Sequence, residues 1–450
     1  MNPTLPPNPL HQVWETLYAT AQELLAYATR TGQPPPPALL AILRQLVDYL
    51  DSLGADSAGL ETELGAVVQV LDQVRLQLGL APPPVPDVFD RDAAPIPTMH
   101  AVRALVGAIH DGSTGRGWAD QGGQTVPTHH TPTRGSGAVF VSVRDATGSP
   151  TPAADVLPQL WEKVRALDDL TSDVLLVCLA HWATRSERPD QPVWITADAV
   201  LDARGIERKR YRSEREMWAH GHRREDRLEV ARAFARLDAL WLQLVNVEVI
   251  PPGRGRKRQA VNVESKALAW LDRITQPDLD GGEPVFLAAR VMPGAWANEY
   301  AALDVRQTGL LAQKALAYDP YRRQPEKRLA KYLAFHVRIN SKHDRVTLNL
   351  RVSTLLDTAG LLPEPANPLR TRKRLEDALN TLCQDGLLDG WRYVLDPEQL
   401  PARRWLDAWL GFTVALTPPA ALREQYAALA ATAQAAPAPR KRRARRAPAE

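Results

Sequence analysis

From residue 10 to residue 79 apolar residues recur at three- and four-residue steps, through LHQVWETLYATAQELLAYA, PALLAILRQLVDYLDSL and GLETELGAVVQVLDQVRLQL. That period is the stripe of an amphipathic helix. TGQPPPP (31–37) and Gly54 divide it into three segments. A small helical bundle is predicted over 10–79, with a dimerisation or partner surface as its functional variant. The period is then lost from 81 to 150, where APPPVP is followed by DGSTGRGWADQGGQTVPTHHTPTRGSG. This Pro/Gly/Thr-rich composition predicts a flexible linker. Within it only AVFVSV (138–143) alternates as a strand does.

Between 155 and 275 the pattern of a compact domain appears. TSDVLLVCLAHWA reads as a helix with Thr171 at its N-cap, and VWI (193–195) as a short strand. TADAVLDARG reads as a second helix, capped by Thr196 and stopped by Gly205. REDRLEVARAFARLDALW is a third, with Val230, Phe234, Leu237 and Trp241 on one face. A hairpin follows, in which the valines of NVEVI and AVNV flank the basic tip PPGRGRKRQ. Helix, strand, helix, helix, hairpin is the order of a winged helix.

The same order recurs over 321–418. EKRLAKYLAFHVRIN is a helix turning Leu329, Tyr332, Leu333 and His336 inward; VTLNL is a strand; RVSTLLDTAGL is a short helix ended by Gly360. Asn367 and Pro368 then supply an N-cap and a first-turn proline for PLRTRKRLEDALNTLCQDG. WRYVL and FTVAL are the hairpin strands, with a partly helical wing between them. AVLDARGI (199–206) and TLLDTAGL (354–361) echo one another. Residues 276–320 read as a connector, and 419–450 as a helix with a basic disordered tail. The predicted fold class is mainly α with small β-hairpins: two winged-helix (helix-turn-helix) domains plus an N-terminal helical domain.

Charge sharpens this division. Overall, 55 basic residues face 52 acidic ones, a formal +3, yet residues 1–80 hold only Arg30, Arg44 and Arg75 against eight acids. The front end is therefore acidic and the remainder basic. The two cysteines, Cys178 and Cys383, form no disulfide framework or metal-ligand spacing, which fits a reducing cytoplasm. No run approaches the roughly eighteen apolar residues of a membrane span. The chain reads as a cytoplasmic protein.

No catalytic signature is present: no phosphate-binding G-x-x-x-x-G-K-[ST] loop, no G-x-S-x-G elbow, no H-E-x-x-H and no C-x-x-C. HGH (220–222) and THHT (128–131) read as exposed histidines in a charged loop and in the linker. The chain is expected not to be an enzyme and to need no metal or cofactor.

Nucleic-acid binding has several supports. Arg232 and Arg236 fall opposite the apolar stripe of the third helix. Arg370 and Lys373 fall on the outer face of helix 368–385, with Arg374 at its edge. Arginine on a recognition helix can pair with guanine, and lysine can bond phosphate. Arg254, Arg256, Lys257 and Arg258 at the first hairpin tip, and Arg403 and Arg404 in the second wing, would contact phosphate or the minor groove. The stretch 203–227, with nine basic and five acidic residues, either lines the DNA backbone or pairs with itself. The polybasic tail 440–446 suits sequence-independent attraction to phosphate.

Two tandem units of this order, and above all KRLAKYLAFHVRIN, VSTLLDTAGL and NPLRTRKRLEDALNTLCQDGLL, resemble the plasmid replication initiators. The resemblance covers residues 160–418 and rests on element order. It implies that one unit reads an origin repeat in double-stranded DNA while the other contacts adjacent DNA or forms a homodimer. Host replication proteins would be recruited without catalysis by the initiator. Helical domain 10–79, the long linker and the insertion 203–227 depart from that family. A transcriptional or phage-type repressor using the same surface, and a non-catalytic interaction scaffold built on 10–79, are the alternatives.

Overall fold

Residues 81–150, expected to be linker, fold in large part. β1 (Ala93–Pro97) leads into α1 (His100–Gly112), whose buried Val102, Leu105, Val106 and Ile109 follow the helical period. β2 (Trp118–Asp120), β3 (Pro127–Pro132) and β4 (Ala138–Val143) then pair antiparallel. The two prolines of β3 occupy its ends, where a strand tolerates them, so they mark its limits and not a loop. The computed structural model describes residues 88–89, 93–120, 126–132, 137–153, 155–186, 188, 190–208, 222–249, 259–276, 284–297, 308–341, 347–395 and 405–426. The predicted bundle 10–79 and the basic tail lie outside them.

α2 (Leu157–Arg165) precedes α3 (Asp169–Arg185), which is buried on every face from Asp169 to Trp182. A helix without an exposed stripe belongs at the centre of a core. Its cap is Asp168, not Thr171. The Asp168 carboxylate accepts from the Thr171 amide at 2.8 Å and from its hydroxyl at 2.6 Å. The acid wins because its charge also meets the positive end of the helix.

β5 (Val193–Thr196) and α4 (Ala197–Ala203) follow, with Thr196 Oγ1 accepting from the Ala199 amide at 3.0 Å, the cap expected. α5 (Arg224–Asp238) buries Val230, Ala233, Phe234 and Leu237. Next come β6 (Leu240–Val249), β7 (Gln259–Lys266), β8 (Leu268–Gln276) and β9 (Val285–Pro293). The hairpin β6–β7, expected to be the wing of the first unit, belongs to another sheet. Leu242 and Leu244 pair with Val141 and Val139 of β4, giving a five-stranded antiparallel sheet in the order β2-β3-β4-β6-β7. The strands that complete the first unit are β8 and β9, in the order β5-β9-β8. β9 lies in the stretch read as connector.

β10 (Thr308–Ala312) pairs with β1, and α6 (Gln313–Ala317) leads to α7 (Gln324–Ser341). The second unit continues through β11 (Leu348–Arg351), α8 (Val352–Ala359), α9 (Pro368–Gln384), β12 (Gly390–Tyr393), α10 (Trp405–Leu410) and β13 (Thr413–Thr417). Its strand order is β11-β13-β12. In both units the strand before the second helix therefore pairs with the last strand and not with its neighbour in sequence. The local signals around α9 hold as expected: Gly360 ends α8 at φ 70°, and Asn367 Oδ1 accepts from the Arg370 amide.

The fold class is corrected by the sheets. With 47% helix and 27% strand among them, and several antiparallel sheets, the described residues are mixed and not mainly α. Contacts divide the chain into two compact units, Pro86–Asp272 with Ala289–Glu450, and Met1–Val85 with Arg273–Ala288.

Candidate nucleic-acid interface

α9 presents its outer face because Leu375, Ala378, Leu379 and Leu382 are buried beneath it. Its N-terminus is fixed by the Asn367 cap and by Thr371, whose buried hydroxyl accepts from the Glu364 amide at 3.1 Å. Arg372 is spent internally. Its Nε donates to Glu376 Oε1 at 2.6 Å, and its guanidinium lies 5.7 Å from the centre of the Tyr393 ring. The Tyr393 hydroxyl donates to the same Glu376 oxygen at 3.1 Å, tying helix to wing.

The three cations singled out on this helix remain on its surface. Arg370 is 66% exposed and Arg374 52% exposed; their nearest carboxylate, Glu364, stands 3.9 Å and 4.0 Å away, outside hydrogen-bond reach. Lys373 is exposed and makes no hydrogen bond or ion pair with the described residues. A phosphate or a guanine edge would meet three exposed cations, of which two give up only a long ion pair to one shared carboxylate and none a hydrogen bond to a carboxylate.

α5 holds the same position in the first unit and differs. Arg236 Nη1 donates to Asp168 Oδ2 at 2.9 Å and is only 19% exposed, so it belongs to the cap of α3 and not to an outer face. Arg232 is exposed but pairs with Glu229 at 2.6 Å. Arg227 makes two hydrogen bonds to Asp198 of α4, at 2.7 Å and 2.9 Å. Arg254, Arg256, Lys257, Arg258, Arg403 and Arg404 lie outside the described residues. So does most of the basic stretch 203–227, of which Arg208 and His222 both bond Asp202.

A buried ionic cluster joins α3 and the end of α4 to α7, all within the compact unit Pro86–Asp272 with Ala289–Glu450, and it was missed in the sequence. Asp173 of α3 is fully buried and receives Lys327 Nζ at 2.9 Å, Lys331 Nζ at 2.6 Å and Arg204 Nε at 3.1 Å. Asp169, one turn earlier, receives Arg328 Nη2 at 3.1 Å. Against the opposing effect of burial, both carboxyls are held below the usual carboxylate range, Asp169 by the neighbouring His110 and then by Lys331 and Arg328, Asp173 by Lys327 and Lys331 and then by Arg204. The cation excess is shared with neutral oxygens. Lys327 donates to the Tyr318 carbonyl at 3.1 Å, and Lys331 to Ser172 Oγ at 2.6 Å. Asp169 and Asp173, one turn apart in an otherwise apolar run, and Lys327 and Lys331 at the same spacing, were the available signal.

The cluster reaches the helix pair of the second unit. At Gly360, a Cβ would come within 2.7 Å of Arg328 Nη1, so glycine serves both the left-handed turn and this close approach. Arg116 adds a strap, with Nη2 2.7 Å from Asp111 and Nη1 3.1 Å from Asp357 at the end of α8.

The histidines are more integrated than expected. His129 is buried in β3, 3.2 Å from Asp111, and His222 is buried against Asp202. His110 Nε2 lies 3.2 Å from Ser172 Oγ and 3.3 Å from Asp169 Oδ1. Both contacts fall on one ring nitrogen, so the three residues do not form a proton relay. Among the described residues no group of three or more His, Cys, Asp or Glu could hold a metal ion, and no helix is long and apolar enough to cross a membrane.

No protein-family model and no curated protein matches the chain. Two crystal structures of domains 2 and 3 of RctB are similar at 10% identity. One, a selenomethionine derivative, has a TM-score of 0.29 and covers 57% of this chain and 77% of its own. The other has a TM-score of 0.32 and covers 66% and 92%. Likeness this loose bears on neither mechanism nor partner.

Proposed function

We propose that the protein binds double-stranded DNA in a sequence-specific manner and without catalysis, α9 of the second unit entering the major groove. The observation that carries this reading is the exposed trio Arg370, Lys373 and Arg374 on a helix whose remaining arginine is internally paired. α8, the Gly360 turn and α9 form the helix-turn-helix, and β12–β13 the wing that tracks the backbone. The first unit repeats this winged-helix order with a neutralised third helix. Its part is to hold and orient the reading unit through Asp169 and Asp173.

Within that activity we favour initiation of plasmid replication at origin repeats over operator repression. A chain with one reading helix in a fixed frame suits short direct repeats, each met by one copy. A repressor acting as a two-fold dimer would instead require a palindrome. Selection of bound duplexes from random-sequence DNA, using the full chain at low salt, tests both levels. Recovery of a single short motif, occupied copy by copy in an array, is the expected result. A palindromic motif overturns the initiator reading, and failure to retain any duplex overturns DNA binding itself.

A further inference from the structure

Beside the cations of α9 stands an apolar side chain that is largely exposed. Leu369, second residue of the helix, is 64% exposed. It is one turn before Lys373 and adjacent to Arg370, and so shares the exposed face. Of the six large hydrophobic residues with high exposure among the described residues, four belong to this unit's turn, helix and wing: Leu362, Leu369, Val394 and Leu395. Apolar exposure and exposed, at most loosely paired cations thus coincide on one unit. Such a mixture suits a base edge better than a phosphate row, which would be served by cations alone.

In helix-turn-helix docking the N-terminal residues of the second helix lie against the bases. There the one apolar feature of the major groove is the C5 methyl of thymine. Resting on the proposed function, we infer that Leu369 reads a thymine methyl, with Arg370 beside it reading a neighbouring guanine. The target is therefore duplex DNA with a required thymine, and not merely a charged backbone. The Asn367 cap and Pro368 fix the backbone of this first turn, so the leucine is pre-positioned and little order is lost on contact.

The test uses the duplex recovered by selection, with each thymine replaced singly by uracil. Uracil keeps base pairing and removes only the methyl. One position should weaken binding by the wild-type chain roughly four-fold, the value of one buried methyl-sized group. Leu369→Ala should show the same weakening on unmodified DNA and no further loss with uracil at that position. Binding that is indifferent to uracil at every position, or a uracil penalty that persists undiminished in Leu369→Ala, overturns the inference while leaving DNA binding in place. Absence of any duplex binding by the wild-type chain removes the reading on which it rests. Because the leucine is exposed, its replacement leaves the core untouched, and an unchanged melting temperature confirms that affinity alone is being read.

Discussion

α5 and α9 occupy equivalent places in two units of the same strand order, and both are rich in arginine. They differ in what surrounds the cations. On α5, Arg227, Arg232 and Arg236 meet Asp198, Glu229 and Asp168 at hydrogen-bond distance. On α9 only Arg372 is so paired; Arg370 and Arg374 share Glu364 in loose ion pairs at 3.9 Å and 4.0 Å, and Lys373 makes none with the described residues. Counting basic residues along a helix therefore says little about binding. A cation already bonded to a carboxylate must give up that bond before taking phosphate, whereas an unpaired one exchanges only water and counterions.

The contrast presumes that both units share one frame, and breaking that frame has the largest expected effect. Asp173→Ala leaves Lys327, Lys331 and Arg204 around a void in a fully buried site. The expected loss is about 3–5 kcal/mol of stability, the usual cost of removing one partner of a buried ion pair. Chemical denaturation measures it. A loss comparable to a surface substitution would mean that the units are not held together by this cluster.

Next in size is the reading helix itself. Lys373→Ala with Arg374→Ala should weaken specific binding by about 1–3 kcal/mol for each base interaction removed, and lower the salt slope by about one for each phosphate no longer neutralised. Stability should stay within about 0.5 kcal/mol, since neither side chain is packed. If affinity and salt dependence are both unchanged, the contrast between the helices has no functional meaning.

Acid probes three buried histidines, of which His110 of α1 is lowered furthest by burial, to about 3. Burial lowers His181 of α3 and His336 of α7 to about 4, with Arg185 and Arg103 respectively adding to the effect. A folded-state value below the ordinary 6.5 means that the unfolded chain takes up protons the folded chain refuses. Stability is thus full above pH 6.5 and falls as pH drops from there towards 4, by up to about 2 kcal/mol per histidine at pH 5. Melting temperatures at pH 7 and pH 5 should show the loss, and His181→Gln should reduce it. An equal melting temperature at both values would remove the desolvation argument.

Much of the second unit was legible because its signals are local. Gly360, Asn367 and Pro368 act within a turn of where they stand, and the apolar stripe of α9 points one way whatever lies beyond it. The first unit was harder. The β6–β7 hairpin follows α5 directly and alternates valines, so proximity made it the wing; pairing with β4, a hundred residues earlier in the chain, assigned it to another sheet. β2 to β4 hid in linker composition because a sheet made of distant strands leaves only short alternation in each. Arg236 looked outward on a helical wheel, which gives direction but not the Asp168 waiting there. The ionic cluster escaped for the same reason: its halves lie about 160 residues apart.

The smallest expected effect decides whether the comparison is sound. Arg232 is as exposed as Arg374, 52% in each case, and sits on the equivalent helix. If exposure alone made a DNA contact, Arg232→Ala would weaken binding as Arg374→Ala does. Its pairing with Glu229, three residues earlier, argues otherwise, since the acid repels phosphate as strongly as the arginine attracts it. An exposed helical pair of this kind contributes only about 0.3–0.5 kcal/mol to stability, so Arg232→Ala should alter neither melting nor affinity measurably. The sharper variant is Glu229→Gln, which frees the arginine without removing it. Titration with the same duplex should then show a slight gain in affinity, greatest at low salt, where an unscreened cation counts most. Should Glu229→Gln weaken binding, or Arg232→Ala cost as much as Arg374→Ala, α5 would be a reading helix in its own right, and internal pairing would not be what separates the two units.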